Sequence, residues 1–82
     1  MQLATVIGTV VATRKDDALV GYKLLVLETS DGSRIVAIDL VGAGGSDTVL
    51  YVTGGAARVK LDKPNPVDAA VVGIVDTVDV RS

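Results

Sequence analysis

Sixteen of the 82 residues are valine, and they fall in short runs broken by glycine. A β-branched side chain is stiff at χ1 and packs well on a pleated surface, so such runs read as strands. There is no Phe or Trp, and Tyr22 and Tyr51 are the only aromatic residues. The interior must therefore be assembled from Val, Ile, Leu and Ala. A domain this short buries only about 60% of the surface its unfolded chain exposes. It needs a disulfide, a metal or association with copies of itself. With no Cys and no His in the chain, disulfides are excluded and the commonest zinc ligands are missing. Association is the remedy left, and no cofactor or metal is expected.

Residues 2–13 read as a first strand, with Ala4, Val6, Val10 and Ala12 on one face and Gly8 marking a bend or bulge. Residues 14–17 make a charged loop. Residues 19–30 and 34–41 form an antiparallel hairpin around Asp31-Gly32, two residues that tolerate positive φ in a tight turn. A loop over 42–47 leads to a fourth strand over 48–53, ended by Gly54-Gly55. The run 56–60 reads either as a short helical turn or as an irregular strand. Lys63-Pro64-Asn65-Pro66 is a turn in which Asn65 is an N-cap and Pro66 opens a one-turn helix over 66–70. Residues 71–80 form the last strand. The predicted class is all-β: a single domain over residues 1–82, a small five-stranded barrel with one short helix, resembling the oligonucleotide-binding type in outline.

A half-buried strand should alternate apolar and polar residues. Leu24-Leu25-Val26-Leu27, residues 35–38 and Val71-Val72-Gly73-Ile74-Val75 are instead apolar on both faces. Outward apolar surface has to be covered. One reading is subunit packing, with Leu25 and Leu27 as candidate interface residues. The other is a flattened sandwich whose helical turn and loops cover the second face.

Several function classes are poorly served. Without His or Cys an enzyme would depend on carboxylates, Lys, Tyr, Ser or Thr. Asp76 and Asp79 would lie on opposite faces of a strand, a poor acid/base pair. Gly42-Ala43-Gly44-Gly45 leads into a strand, whereas a phosphate cradle leads into a helix. Single-stranded nucleic acid calls for aromatic platforms and a basic groove, and two tyrosines with a net charge of −2 supply neither. The uncharged stretches 1–13 and 48–57 are too short for a membrane helix. Residues 1–13 also lack the basic start of a secretory signal, so a cytoplasmic protein is expected. Gly54-Gly55-Ala56-Ala57-Arg58 reads either as a tight turn with a surface Arg or as a constriction where several chains converge. A barrel module binding a small ligand or nucleic acid is the rival to a structural role.

Taken in order, IGTVVAT (7–13), LVGYKL (19–24), VAIDLVGAG (36–44), GGAAR (54–58) and NPVDAAVVGIVD (65–76) resemble the EutN/CcmL family, vertex proteins of bacterial microcompartment shells. The resemblance spans nearly the whole chain. It implies a homopentamer of five-stranded barrels capping the fivefold vertices of a polyhedral shell. Hexameric shell proteins would be its partners, with no enzymatic activity, nucleic acid or membrane involved. It further implies that Gly42, Ala43, Gly44 and Asp47 touch the adjoining hexameric tiles, and that Gly54, Gly55, Ala56, Ala57 and Arg58 line the rim of a central pore. The family often has a glycine and a glutamate where Ser46 and Asp47 stand, and serines where Gly55 and Ala56 stand.

Overall fold

Alternation within each strand decides which side chains go inside, and here it gives five strands one shared interior. The computed structural model describes residues 1–61 and 64–80. Its strands are β1 (Gln2–Val10), β2 (Leu24–Thr29), β3 (Arg34–Asp39), β4 (Thr48–Thr53) and β5 (Ala69–Ile74). They close into a barrel in the order β1-β2-β3-β5-β4, as expected for the oligonucleotide-binding type. Every pairing is antiparallel except β3–β5, a parallel seam whose register covers only Ile38↔Ala70 and Asp39↔Val71.

The interior is a cluster of Ala4, Val6, Leu25, Leu27, Ala37, Ala43, Val49, Tyr51, Ala69 and Val71. Strands β1, β3 and β5 contribute Ala4, Ala37 and Ala69 while β2 and β4 contribute Leu25, Leu27 and Tyr51, which lets large and small side chains interdigitate in a narrow barrel. Tyr51 is buried, and its hydroxyl donates a hydrogen bond to Gln2 Oε1. Leu25 and Leu27 are both fully buried here. That corrects the expectation that they face a neighbouring subunit. The residues beside them, Leu24 and Val26, carry the outer face of β2.

A second cluster lies outside the barrel wall. Ile38, Ala57, Val67 and Ala70 are buried there, with Leu19, Tyr22, Leu24, Leu40, Val52 and Leu61 around them. Its cover comes from two 3-10 turns, Asp17–Leu19 and Gly54–Arg58, and from the approach to β5. Part of the second apolar face is therefore sealed by the chain itself, as the sandwich reading required. The remainder is open: Leu3, Ile7, Val36 and Ile74 stay 43–47% exposed on the strands.

Gly8 marks a shift of register between Val6 and Gly8 in the β1–β2 pair, the expected bulge. The hairpin differs in detail from a two-residue turn. Gly32 N–H donates to Thr29 O at 2.9 Å, and Thr29 N–H donates to Ser33 O at 2.8 Å. Of the two turn residues only Gly32 is at positive φ, +84°. This is a three-residue loop ending in a left-handed glycine.

The expected helix over 66–70 is absent. Asn65 Oδ1 does accept the Val67 N–H at 3.1 Å, as a capping residue would. The chain then extends, and Ala69 and Ala70 enter β5 opposite Thr53 and Val52. One helical turn bears the full nucleation cost for very few hydrogen bonds, so the sheet wins. The ambiguous run after Gly55 resolves as the second 3-10 turn. Strand ends are shorter than read from the sequence: β1 stops at Val10, β2 begins at Leu24, β3 stops at Asp39 and β5 stops at Ile74. Of the turn read over 63–66, Lys63 lies outside the described residues.

Candidate functional site

Two glycine-bearing segments hold the sequence-predicted sites. The first is the loop between β3 and β4, and it is anchored at several points. Asp39, at the end of β3, has a side chain only 3% exposed. Its Oδ1 accepts the N–H groups of Val41 and Gly42, each at 3.1 Å. Its Oδ2 lies 3.6 Å from Lys23 Nζ, and Lys23 also donates to Ala43 O. At the far end, Asp47 Oδ2 accepts the Gly44 N–H at 2.8 Å. The loop is then stitched to β1, because Ser46 N–H donates to Val6 O and Val6 N–H donates to Asp47 O, both at 2.9 Å. Ser46 takes a left-handed conformation, φ 71°.

This geometry divides the predicted tile-contact residues. Gly42 is exposed and Gly44 half-buried, but Ala43 is fully buried, its methyl group part of the interior cluster. Ala43 therefore fixes the loop to the barrel and offers no side-chain surface to a neighbour. The Asp47 carboxylate is engaged by its own loop. The open surface is made by Val41, Gly42, Gly45 and Ser46. Lys23 and Asp39 escaped the sequence reading. The signal for Asp39 was an acid directly after the apolar run 35–38 and just before a glycine-rich loop, where its carboxylate meets free N–H groups.

The second segment is the turn Gly54–Arg58. Gly54 sits at φ +65°, which favours glycine, and its N–H donates to Asp68 O at 2.8 Å. Gly55, Ala56 and Arg58 are exposed, as Gly54 is. Ala57 is the exception, 1% exposed and packed with Ile38, Val67 and Ala70. That removes Ala57 from any rim. Arg58 Nη1 donates to Val67 O at 2.8 Å, so the guanidinium also pins the approach to β5.

Neither tyrosine offers a stacking platform: Tyr51 is inside the barrel, and Tyr22 is half-buried in the outer cluster. Asp76 and Asp79 lie beyond the end of β5. Among the described residues no group of three or more acidic, His or Cys side chains is placed to hold a metal. No helix among them is long and apolar enough to cross a membrane.

Comparison with known proteins places these features in context. The family described as "Ethanolamine utilisation protein EutN/carboxysome" matches residues 1–76. The bacterial microcompartment shell vertex protein GrpN of Rhodospirillum rubrum is 49% identical, across 96% of this chain and 97% of that protein. The carboxysome shell vertex protein CcmL of Synechocystis is 48% identical, across 100% of this chain and 89% of CcmL. The structure of GrpN, a pentameric microcompartment shell protein, superposes with a TM-score of 0.88 over the whole of both chains.

Proposed function

The chain belongs to the EutN/CcmL family, and from that premise we propose that it is a structural subunit whose homopentamer caps the vertices of a bacterial microcompartment shell in the cytoplasm. The observation that carries this reading is the superposition on a pentameric shell protein along the full length of both chains, at 45% identity. The geometry supplies the logic. Flat hexagonal tiles cannot close a polyhedron, and a pentagonal unit provides the curvature. A five-membered ring forms from heterologous contacts whose rotation closes.

Within that ring the anchored loop is the contact to hexameric tiles, through Gly42, Gly45 and Ser46. Its hydrogen bonds hold the backbone rigid, and its exposed glycines let a flat neighbour approach closely. Gly54, Gly55 and Ala56, whose small size lets five copies converge, form the rim around the fivefold axis together with Arg58. The relatives that match along nearly the whole chain are shell vertex proteins, which supports an architectural rather than an enzymatic role.

Co-expression with the hexameric shell proteins of a related microcompartment tests the assignment. Closed polyhedra are expected when this chain is present, and open sheets or tubes when it is absent. Closed shells in both cases would refute the vertex role.

A further inference from the structure

The loop between β2 and β3 contains Asp31-Gly32, a pair whose covalent chemistry depends on how its atoms are held. When an aspartyl carboxyl is neutral, the backbone nitrogen of the next residue can attack its Cγ. An N–Cγ bond forms, and one carboxyl oxygen leaves as water, taking the carboxyl proton and the amide proton. The product is a cyclic imide. Water then reopens the ring at either carbonyl carbon. Opening at Cγ restores aspartate, whereas opening at the other carbon leaves isoaspartate, whose backbone runs through Cβ and Cγ. One water is lost and one regained, so no other reactant is needed. Glycine in the following position leaves the attacking nitrogen unshielded by a side chain. Asp31 and Gly32 are both exposed, and a Cβ built at Gly32 would meet nothing within 4 Å. Crowding therefore does not protect this pair.

Hydrogen bonds do. Gly32 N–H, the nucleophile of the reaction, donates to Thr29 O at 2.9 Å. The electrophile is held by two donors, since Asp31 Oδ1 accepts the Ser33 N–H at 3.0 Å and the Thr29 hydroxyl. Thr29 thus restrains both reacting groups, one through its carbonyl and the other through its side chain. It is itself fixed in β2, where it pairs with Ala4 of β1, and its N–H closes the loop by donating to Ser33 O at 2.8 Å. The bonds from Thr29 and Ser33 also hold the carboxyl below its usual pKa, so the reactive neutral form is scarcer than in an unfolded chain.

We propose that Asp31-Gly32 is a modification site that the closed hairpin keeps silent and that converts to isoaspartate when the hairpin opens. Segments of a fold open locally without global unfolding, and covalent change in the opened state makes the loss irreversible. The product adds one atom to the backbone of a loop whose length sets the register of Glu28 with Arg34 and of Leu27 with Ile35. A converted chain is hindered from closing the same hairpin again. The site lies within one chain, so this inference does not rest on the pentamer reading.

The test ages the full-length protein at neutral pH in buffer and in urea above its unfolding midpoint, with Thr29→Val and Thr29→Ser in parallel. Trypsin cuts after Lys23 and Arg34, which recovers the loop in one peptide, residues 24–34. Tandem mass spectrometry of that peptide measures isoaspartate, and enzymatic methylation of the isoaspartyl carboxylate confirms it. Wild type in buffer should convert about tenfold or more slowly than in urea, the factor expected from one hydrogen bond to a charged group. In buffer, Thr29→Val should convert faster than wild type and Thr29→Ser should stay slow, with both shown to be folded by circular dichroism. All three should convert alike in urea. Equal wild-type rates in buffer and urea overturn the proposal, as does an absence of isoaspartate in urea, and neither outcome depends on a variant. A folded Thr29→Val as slow as wild type overturns the role of the hydroxyl. When the urea-aged chain is returned to buffer, the refolded fraction should be depleted in isoaspartate, and an equal share in folded and unfolded fractions overturns the register consequence.

Discussion

Replacing Asp39 with alanine is the perturbation that best isolates the anchored loop. The carboxylate is nearly buried, accepts two loop N–H groups at 3.1 Å and faces Lys23 at 3.6 Å. A hydrogen bond to a charged group contributes about 1.5–3 kcal/mol. The two loop N–H groups lie near water and recover part of that on rehydration, so the pair is worth about 3 kcal/mol, the lower end of the range. Lys23, 46% exposed, contributes less than about 1 kcal/mol through the ion pair. Asp39→Ala should therefore cost about 3 kcal/mol, which lowers Tm by roughly 12–24 °C at 4–8 °C per kcal/mol for a domain of this size. Asp39→Asn keeps an acceptor oxygen without the charge and should cost about 1 kcal/mol. Thermal and urea unfolding must be compared at one chain concentration, because assembly adds to apparent stability. An Asp39→Ala loss below about 0.5 kcal/mol, or an equal loss for Ala and Asn, would refute the reasoning that charge-assisted bonds hold the loop.

Other outcomes follow from the same geometry. Leu27→Ala should destabilise the fold by about 2–5 kcal/mol in urea denaturation, since it opens a cavity inside the barrel; a stable fold with a lost ring would return Leu27 to the interface. Ala43→Leu should overpack the interior and cost about 1–3 kcal/mol, seen as a lower urea midpoint. Gly45→Glu is the cleaner probe of the tile contact, because nothing lies within 4 Å of a Cβ there: the ring should persist in native mass spectra while shells fail to close in electron micrographs. Hydrogen bonds from the Thr29 side chain and from Ser33 hold the Asp31 carboxyl below its usual pKa. A depressed folded-state pKa gives stability that is present above the unfolded value and lost as pH falls through the folded one. Asp31→Asn should accordingly weaken the hairpin at neutral pH and flatten the acid limb of a stability–pH profile.

How much of this was legible in the sequence depended on whether the signal was local. The hairpin, the bulge at Gly8 and β4 were readable because turn residues and register fix them within a few positions. Asn65-Pro66 also sent its local signal faithfully, but Ala69 and Ala70 gain more by pairing across β4 and β3 than one helical turn can offer. Leu25 and Leu27 were assigned to the wrong side because a strand apolar on both faces carries no record of its register. The glycine runs hid a finer distinction. In both GAG and GGAAR one alanine is buried while its glycines remain open or half-buried, so a methyl group among glycines marked an attachment to the core. The double apolar pattern likewise had two causes, a cover of 3-10 turns over Ile38 and Ala70 and an open exterior elsewhere.

The vertex role requires that the uncovered apolar exterior be hidden by copies of this chain in a ring of five. The most direct test is native mass spectrometry of the purified protein across a micromolar dilution series. A dominant species at five times the 8.4 kDa chain mass, giving way on dilution to subunits without stable larger intermediates, is the predicted result. A folded monomer throughout the series would contradict it.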